Sequence, residues 1–152
     1  MFQLFSCRSI LIINRVKRGF NVILATSLVH FYPPKHHRRA LEIIDDVLSL
    51  QPKNVSCLMG KAYIMQAGKQ WTEAAKLFDS VISIAPDDVQ DGLRAKEEFA
   101  WSQSREGNLE SAILGLDQTL AALEEFGDRE LDKARCLWRI GQCHWDFGSE
   151  NN

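Results

Sequence analysis

The run Ala40-Leu41-Glu42-Ile43-Ile44-Asp45-Asp46-Val47-Leu48-Ser49-Leu50-Gln51-Pro52 returns 34 residues later as Ala74-Ala75-Lys76-Leu77-Phe78-Asp79-Ser80-Val81-Ile82-Ser83-Ile84-Ala85-Pro86. Each copy opens on an alanine, places Ile44 or Phe78 four residues on and Val47 or Val81 seven on, and closes at Pro52 or Pro86. Residues four and seven apart share one face of a helix, so each copy predicts a helix with a buried stripe. The proline has no amide N–H to carry the helix further. Within the stripe the small alanine lets a neighbouring helix come close, and the bulkier Ile44 or Phe78 fills the space beside it.

Between the two prolines, Val55 to Gln66 reads as another helix, with Leu58, Met59, Ala62, Tyr63 and Met65 apolar and Gly60 in its middle. A glycine inside a helix costs about 1 kcal/mol relative to alanine, so Gly60 is expected to serve close packing of the antiparallel partner. Gly68 is expected to supply the turn that follows. A third unit runs from Val89 to Arg105, turns at Gly107-Asn108, and returns from Leu109 to Phe126, with Ala112, Leu116 and Thr119 in the stripe positions. It lacks the closing proline, and the 38 residues from Ala74 to Ala112 predict a longer first helix. A fourth first helix is expected from Leu131 to Phe147, ending at a turn after Gly148. The pattern predicts an all-α solenoid of antiparallel helical hairpins. Residues 36–148 form the array, as a partial repeat, two full repeats and a partial repeat; 1–35 stand apart from it and 149–152 form a tail. Both ends read as cut from a longer array.

Gly60, Tyr63, Ala74, Phe78 and Pro86 together resemble the signature of the tetratricopeptide repeat family. The chain departs from it by one extra residue between Gly68 and Ala74, by Ser56 at the family's early tryptophan place, and by Ala100 where glycine is usual. In the fourth helix Leu137, Ile140, Gly141 and His144 take the signature places. Within the family, the runs Pro52 to Tyr63, Trp71 to Ala75, Lys96 to Trp101 and Ala134 to Gly141 are similar to the large scaffold subunits of fungal superkiller complexes. That resemblance implies a non-catalytic protein–protein interaction scaffold that joins a helicase and a propeller subunit. The resemblance further implies that such a complex feeds cytoplasmic mRNA to the 3′-to-5′ exosome. The implied partners are proteins, with RNA reached only indirectly and no cofactor, membrane or small-molecule substrate. A general adaptor of another pathway, mitochondrial if the N-terminal segment is an address signal, stays open beside it.

The positions that usually line the family's inner groove hold Lys61, Ile64 and Met65, then Glu97, Trp101 and Arg105, then Trp138, Gln142 and Trp145. Aromatic and arginine side chains are enriched among the residues that dominate interfaces, which makes Lys61, Trp101, Arg105, Gln142 and Trp145 the candidate partner contacts. The Lys and Asn clamp by which some members hold a C-terminal carboxylate is not expected, because Cys57, Glu97, Trp101, Trp138 and Gln142 stand at most of its places.

Charge is split along the chain. Residues 1–39 carry seven basic side chains and no acid, and the remainder carries a net charge of −9. An acidic body disfavours a broad nucleic-acid face, which needs clustered Lys and Arg. The apolar runs Ile10 to Ile13 and Val22 to Phe31 are too short to span a bilayer, which takes about 20 residues. The N-terminal segment reads as a transit peptide, a weak anchor, or sequence foreign to the repeat array. Cys7, Cys57, Cys136 and Cys143 are too irregularly spaced for a disulfide framework or paired zinc knuckle. Cys136 and Cys143, seven apart, are expected as buried thiols on one helix face. A metal enzyme that uses His144 with these cysteines is a third and weaker reading. His36-His37-Arg38-Arg39 reads as a solvated basic helix start. Asp45-Asp46, Asp87-Asp88 and Glu97-Glu98 read as helix caps or water-facing acids rather than general acid–base pairs. No phosphate-binding glycine loop, nucleophile elbow or zinc-protease motif is present in the sequence.

Overall fold

The computed structural model describes the backbone of residues 2–86 and 88–150, and the side chains of residues 14, 16–86 and 88–149. These residues form seven helices and no strand: α1 (Phe2–His30), α2 (His37–Leu50), α3 (Val55–Ala67), α4 (Trp71–Ile84), α5 (Asp91–Arg105), α6 (Leu109–Glu125) and α7 (Glu130–Glu150). Short turns join the helices, and each packs mainly on its neighbours in the chain. The result is a serial stack with three successive cores. Ala25, Ile44 and Cys57 join α1, α2 and α3; Leu58, Phe78 and Ala95 join α3, α4 and α5; Ala100, Leu116 and Cys136 join α5, α6 and α7. Each core is shared only by adjacent helices, as expected of a repeat stack.

The stripe positions build these cores. Ala40, Ile44 and Val47 on α2, Ala74, Phe78 and Val81 on α4, and Ala112, Leu116 and Thr119 on α6 are all buried. The ring of Phe78 meets that of Tyr63 edge-on, with centroids 5.6 Å apart. Asn54 caps α3 by accepting a hydrogen bond from Cys57 N at 3.0 Å. Pro52 and Pro86 lie just beyond α2 and α4, where no further helical N–H is needed.

Gly60 is crowded, but from a different side than expected. A β-carbon there would lie 3.2 Å from Ile44 Cδ1 and 3.5 Å from Val29 Cγ2, so the close approach is with α2 and α1 rather than with its hairpin partner α4. A comparable approach recurs between α5 and α6, where a β-carbon at Gly115 would lie 3.1 Å from Ala100 Cβ. Gly141 has no such neighbour within 4 Å.

The turn after α3 is built one residue later than Gly68. The left-handed residue is Lys69, with φ 57°, while Gly68 keeps a negative φ as the C-cap. Lys69 N donates to Gln66 O and Gln70 N to Met65 O, and the turn after α5 repeats this pairing with Gly107 N on Ser104 O and Asn108 N on Gln103 O. These are the two bonds of a Schellman motif, whose left-handed position favours glycine. Lys69 thus stands where Gly107, with φ 89°, stands in the next unit.

Four further expectations are revised. Residues 2–30 form α1, whose later part packs on α2 and α3: Ala25 and Val29 are buried among Ala40, Ile43 and Ile44. Val16, Phe20 and Ile23 stay exposed on its outer side. No helix among the described residues is long and apolar enough to cross a membrane. His37 is buried, with Nε2 3.1 Å from Val29 O, because it sits on the face of α2 that turns toward α1; Arg38 and Arg39 remain exposed. α5 begins at Asp91 rather than Val89, because Asp88 Oδ1 accepts hydrogen bonds from Gln90 N and Asp91 N and so ends the preceding turn. Asp87 lies outside the described residues. α7 runs through Gly148 to Glu150 without a turn.

Candidate protein-binding groove

The first helices of successive hairpins face one another across a cavity of about 840 Å³, lined from α1 by Thr26 and His30, from α3 by Gly60 and Tyr63, and from α5 and α7 by charged side chains. Its floor is ionic. Glu97 and Glu98 are each 1% exposed, although the sequence alone reads them as water-facing. Arg135 reaches from α7 to clasp Glu97 with Nε on Oε1 at 2.7 Å and Nη2 on Oε2 at 2.6 Å, and Arg139 Nη1 lies 2.9 Å from Glu97 Oε1. Arg139 Nη2 also donates to Glu98, at 3.1 and 3.0 Å from its two oxygens. Arg94, one turn before Glu98 on α5, adds an ion pair at 2.8 Å, and Gln66 of α3 donates to Glu98 Oε2 at 3.2 Å and to Ser102 Oγ at 3.1 Å. Carboxylates taken out of water this far persist only when their oxygens are paired, and here arginines from two helices supply the pairing.

Around this floor the protonation states follow the charges. Burial pushes the Tyr63 hydroxyl up to about 12, and Glu98 adds to that rise. Arg94 Nε donates to the same hydroxyl at 3.1 Å. The hydrogen bonds from Arg135 to Glu97 raise the Arg135 pKa and hold its charge in place. Burial acts to raise the Asp132 carboxyl, but the hydrogen bonds and charge of Arg135 outweigh it and leave Asp132 below the usual carboxylate range. Asp132 accepts from Arg135 at 2.7 Å and from Arg129 at 3.3 Å.

The candidate contacts fall elsewhere. Trp101, Arg105 and Gln142 meet at the far end of α5 and α7. Arg105 stacks over the Trp101 ring at 4.9 Å and pairs with Asp146 at 2.6 Å, and Gln142 donates to the other oxygen of Asp146 at 2.9 Å. Arg139 covers Trp101 at 5.2 Å, and Trp138 stands 5.8 Å from it, centroid to centroid. Lys61 joins neither group and pairs with Asp45 on α2 at 2.7 Å. Trp145 is 75% exposed. None of these five lines the large cavity.

Cys57, Cys136 and Cys143 are buried and free, and burial pushes the first two thiols up to about 11 and Cys143 upward as well. His144 is exposed, so it does not converge with Cys136 and Cys143. Raised thiols of this kind are poor nucleophiles, since the thiolate is the reactive form. What the groove offers is charge-assisted hydrogen bonding on a rigid frame.

Sequence reading missed Arg94, Asp132, Arg135 and Arg139 as groove residues. One signal was present: Cys136, Arg139 and Cys143 follow at spacings of three and four, which sets an arginine in the middle of a buried stripe.

The repeated stripe, the Schellman turns and the serial cores define an α-solenoid of the tetratricopeptide type. No family model matches the chain. Among curated proteins the chain is similar to Superkiller protein 3 of Saccharomyces cerevisiae, with 32% identity over 124 residues, or 81% of the chain. It is also similar to Superkiller protein 3 of Schizosaccharomyces pombe, with 24% identity over 139 residues, or 91% of the chain. The chain spans 8% and 10% of the length of those two relatives.

Proposed function

We propose that this chain is a stretch of protein–protein interaction scaffold of the superkiller type, acting without catalysis in cytoplasmic mRNA decay by the 3′-to-5′ exosome. The observation that carries the reading is the 32% identity to Superkiller protein 3 across 81% of the chain. The fold supports it, because a stack of hairpins presents first helices along one continuous groove where a partner segment can lie. Its partners in this reading are a helicase subunit and a propeller subunit, and RNA is reached through them. The net charge of −9 after residue 39 agrees with protein rather than RNA as the direct contact. The test is affinity purification of the tagged chain from its native cells, with cross-linking and mass spectrometry. The reading expects helicase and propeller subunits cross-linked to α3, α5 or α7. Recovery of the chain without either subunit overturns it.

A further inference from the structure

In the groove the oxygens are taken and several nitrogens are not. Both oxygens of Glu97, of Glu98 and of Asp132 already face a guanidinium or amide nitrogen. Arginine carries five N–H donors in a fixed fork and accepts nothing. Nη1 of Arg135 and Nη2 of Arg129 have no hydrogen-bond partner among the described residues, and Nη1 of Arg94 reaches only Asp132 Oδ1, at 3.9 Å. The side chains of Arg94, Arg129 and Arg135 are 31%, 28% and 28% exposed, whereas those of Glu97 and Glu98 are 1% and 2% exposed. A molecule entering the cavity therefore meets the guanidinium edges of Arg94, Arg129 and Arg135 together with the Asp132 carboxylate, which is 29% exposed, and finds Glu97 and Glu98 beneath them. The lower layer also fixes the upper one. Glu97 holds Arg135 through two parallel bonds, so little further side-chain freedom is lost when its outer edge is engaged.

We infer that the groove between α3, α5 and α7 captures an acidic peptide segment, whose side-chain carboxylates seat on Arg94, Arg129 and Arg135. This deepens the scaffold reading above and rests on it. A peptide fits better than a nucleic acid because two further acids, Asp91 and Asp132, line the same cavity, and Asp132 sits among Arg94, Arg129 and Arg135. They repel a continuous phosphate chain, while carboxylates spaced along a peptide can alternate with them. Asp132 competes with the incoming carboxylates for Arg129 and Arg135, so it sets the affinity from within the site.

The experiment is fluorescence anisotropy on the full chain with a labelled nonapeptide of alternating Glu and Ala. The same peptide with Gln or Lys in place of Glu, and an oligouridine, serve as the other probes. The Glu peptide is expected to bind about tenfold more tightly than the Gln peptide, the difference expected for charge-assisted over neutral hydrogen bonds. Arg129→Gln, whose only side-chain hydrogen bond among the described residues is to Asp132, is expected to weaken the Glu peptide about fivefold with an unchanged circular dichroism spectrum. Asp132→Asn is expected to tighten it, a gain that damage to the fold cannot produce. Equal binding of the Glu and Gln peptides, preference for the Lys peptide or the oligouridine, or indifference to both substitutions overturns the inference. A chain that takes no Glu peptide yet still recovers helicase and propeller subunits from cells overturns the acidic groove alone. Glu-peptide binding without those subunits supports the groove and removes the superkiller assignment.

Discussion

At the α3–α4 joint, Ala74, Phe78 and Val81 are sealed from solvent against Met59, Ala62 and Tyr63, whereas α5 and α7 meet through Glu97, Glu98, Arg135 and Arg139. The first joint is stabilised in proportion to the apolar area it removes from water. The second gains little net stability, because removing charges from water costs about as much as their attraction returns. It is intolerant in another way: loss of one partner strands a charge in the interior. The apolar joint therefore holds the hairpin together; α7 is seated by its apolar packing on α6, and the ionic joint sets its register against α5.

That contrast predicts a ranked set of outcomes. Phe78→Ala opens a cavity at a fully buried site and is expected to cost about 4 kcal/mol in urea unfolding. A smaller loss than that of Glu98→Ala would reverse the assignment of the two joints. Glu98→Ala leaves Arg139 buried beside a single remaining glutamate and is expected to cost about 3 kcal/mol. Substituting Leu at both Glu98 and Arg139 should recover most of that loss; if the double variant is no better than the single one, the ionic joint is more than a matter of register.

Tyr63 sharpens the comparison through pH, because its ring packs on Phe78 and its hydroxyl accepts from Arg94. Its folded pKa of about 12 lies above the value of 10.0 for an unburied tyrosine, so above pH 10 the unfolded chain loses a proton that the folded chain keeps. Stability then falls with rising pH until about pH 12, by about 2 kcal/mol in all. Thermal melts of the chain and of Tyr63→Phe should diverge through this window, with the variant losing less; parallel curves would place the hydroxyl in water. The smallest effect belongs to the turns. Lys69→Gly gives the left-handed position the residue that its counterpart Gly107 already has, and should raise stability by about 1 kcal/mol in the same melts.

The apolar joint was legible in the sequence and the ionic joint was not, for a physical reason. Ala74, Phe78 and Val81 declare their face within two turns of one helix, and the copy at Ala40, Ile44 and Val47 repeats it. Glu97 is clasped by Arg135, 38 residues later, and Glu98 by Arg139, 41 residues later, across α6; a local reading sees two adjacent acids and, in Arg94 four residues before Glu98, an ordinary pair of the kind that faces water. Their burial becomes readable only when Arg139 is recognised as sitting between Cys136 and Cys143 on one stripe, since an arginine there needs a carboxylate. The turn at Lys69 escaped for a related reason. Gly68 is the obvious residue for a left-handed position, but the extra residue in that turn carries the conformation one step further along the chain.

The indole pair at the outer end of the ionic joint gives the molecule its own optical gauge. Trp101 on α5 and Trp138 on α7 lie 5.8 Å apart with their planes tilted by 44°, close enough for their ultraviolet transitions to couple as an exciton pair. The sign and size of the resulting couplet depend on the angle between the two rings. Any slide of α7 along α5, whether from a ligand in the groove or a broken ion pair beneath it, is thereby written into the circular dichroism of the unlabelled chain.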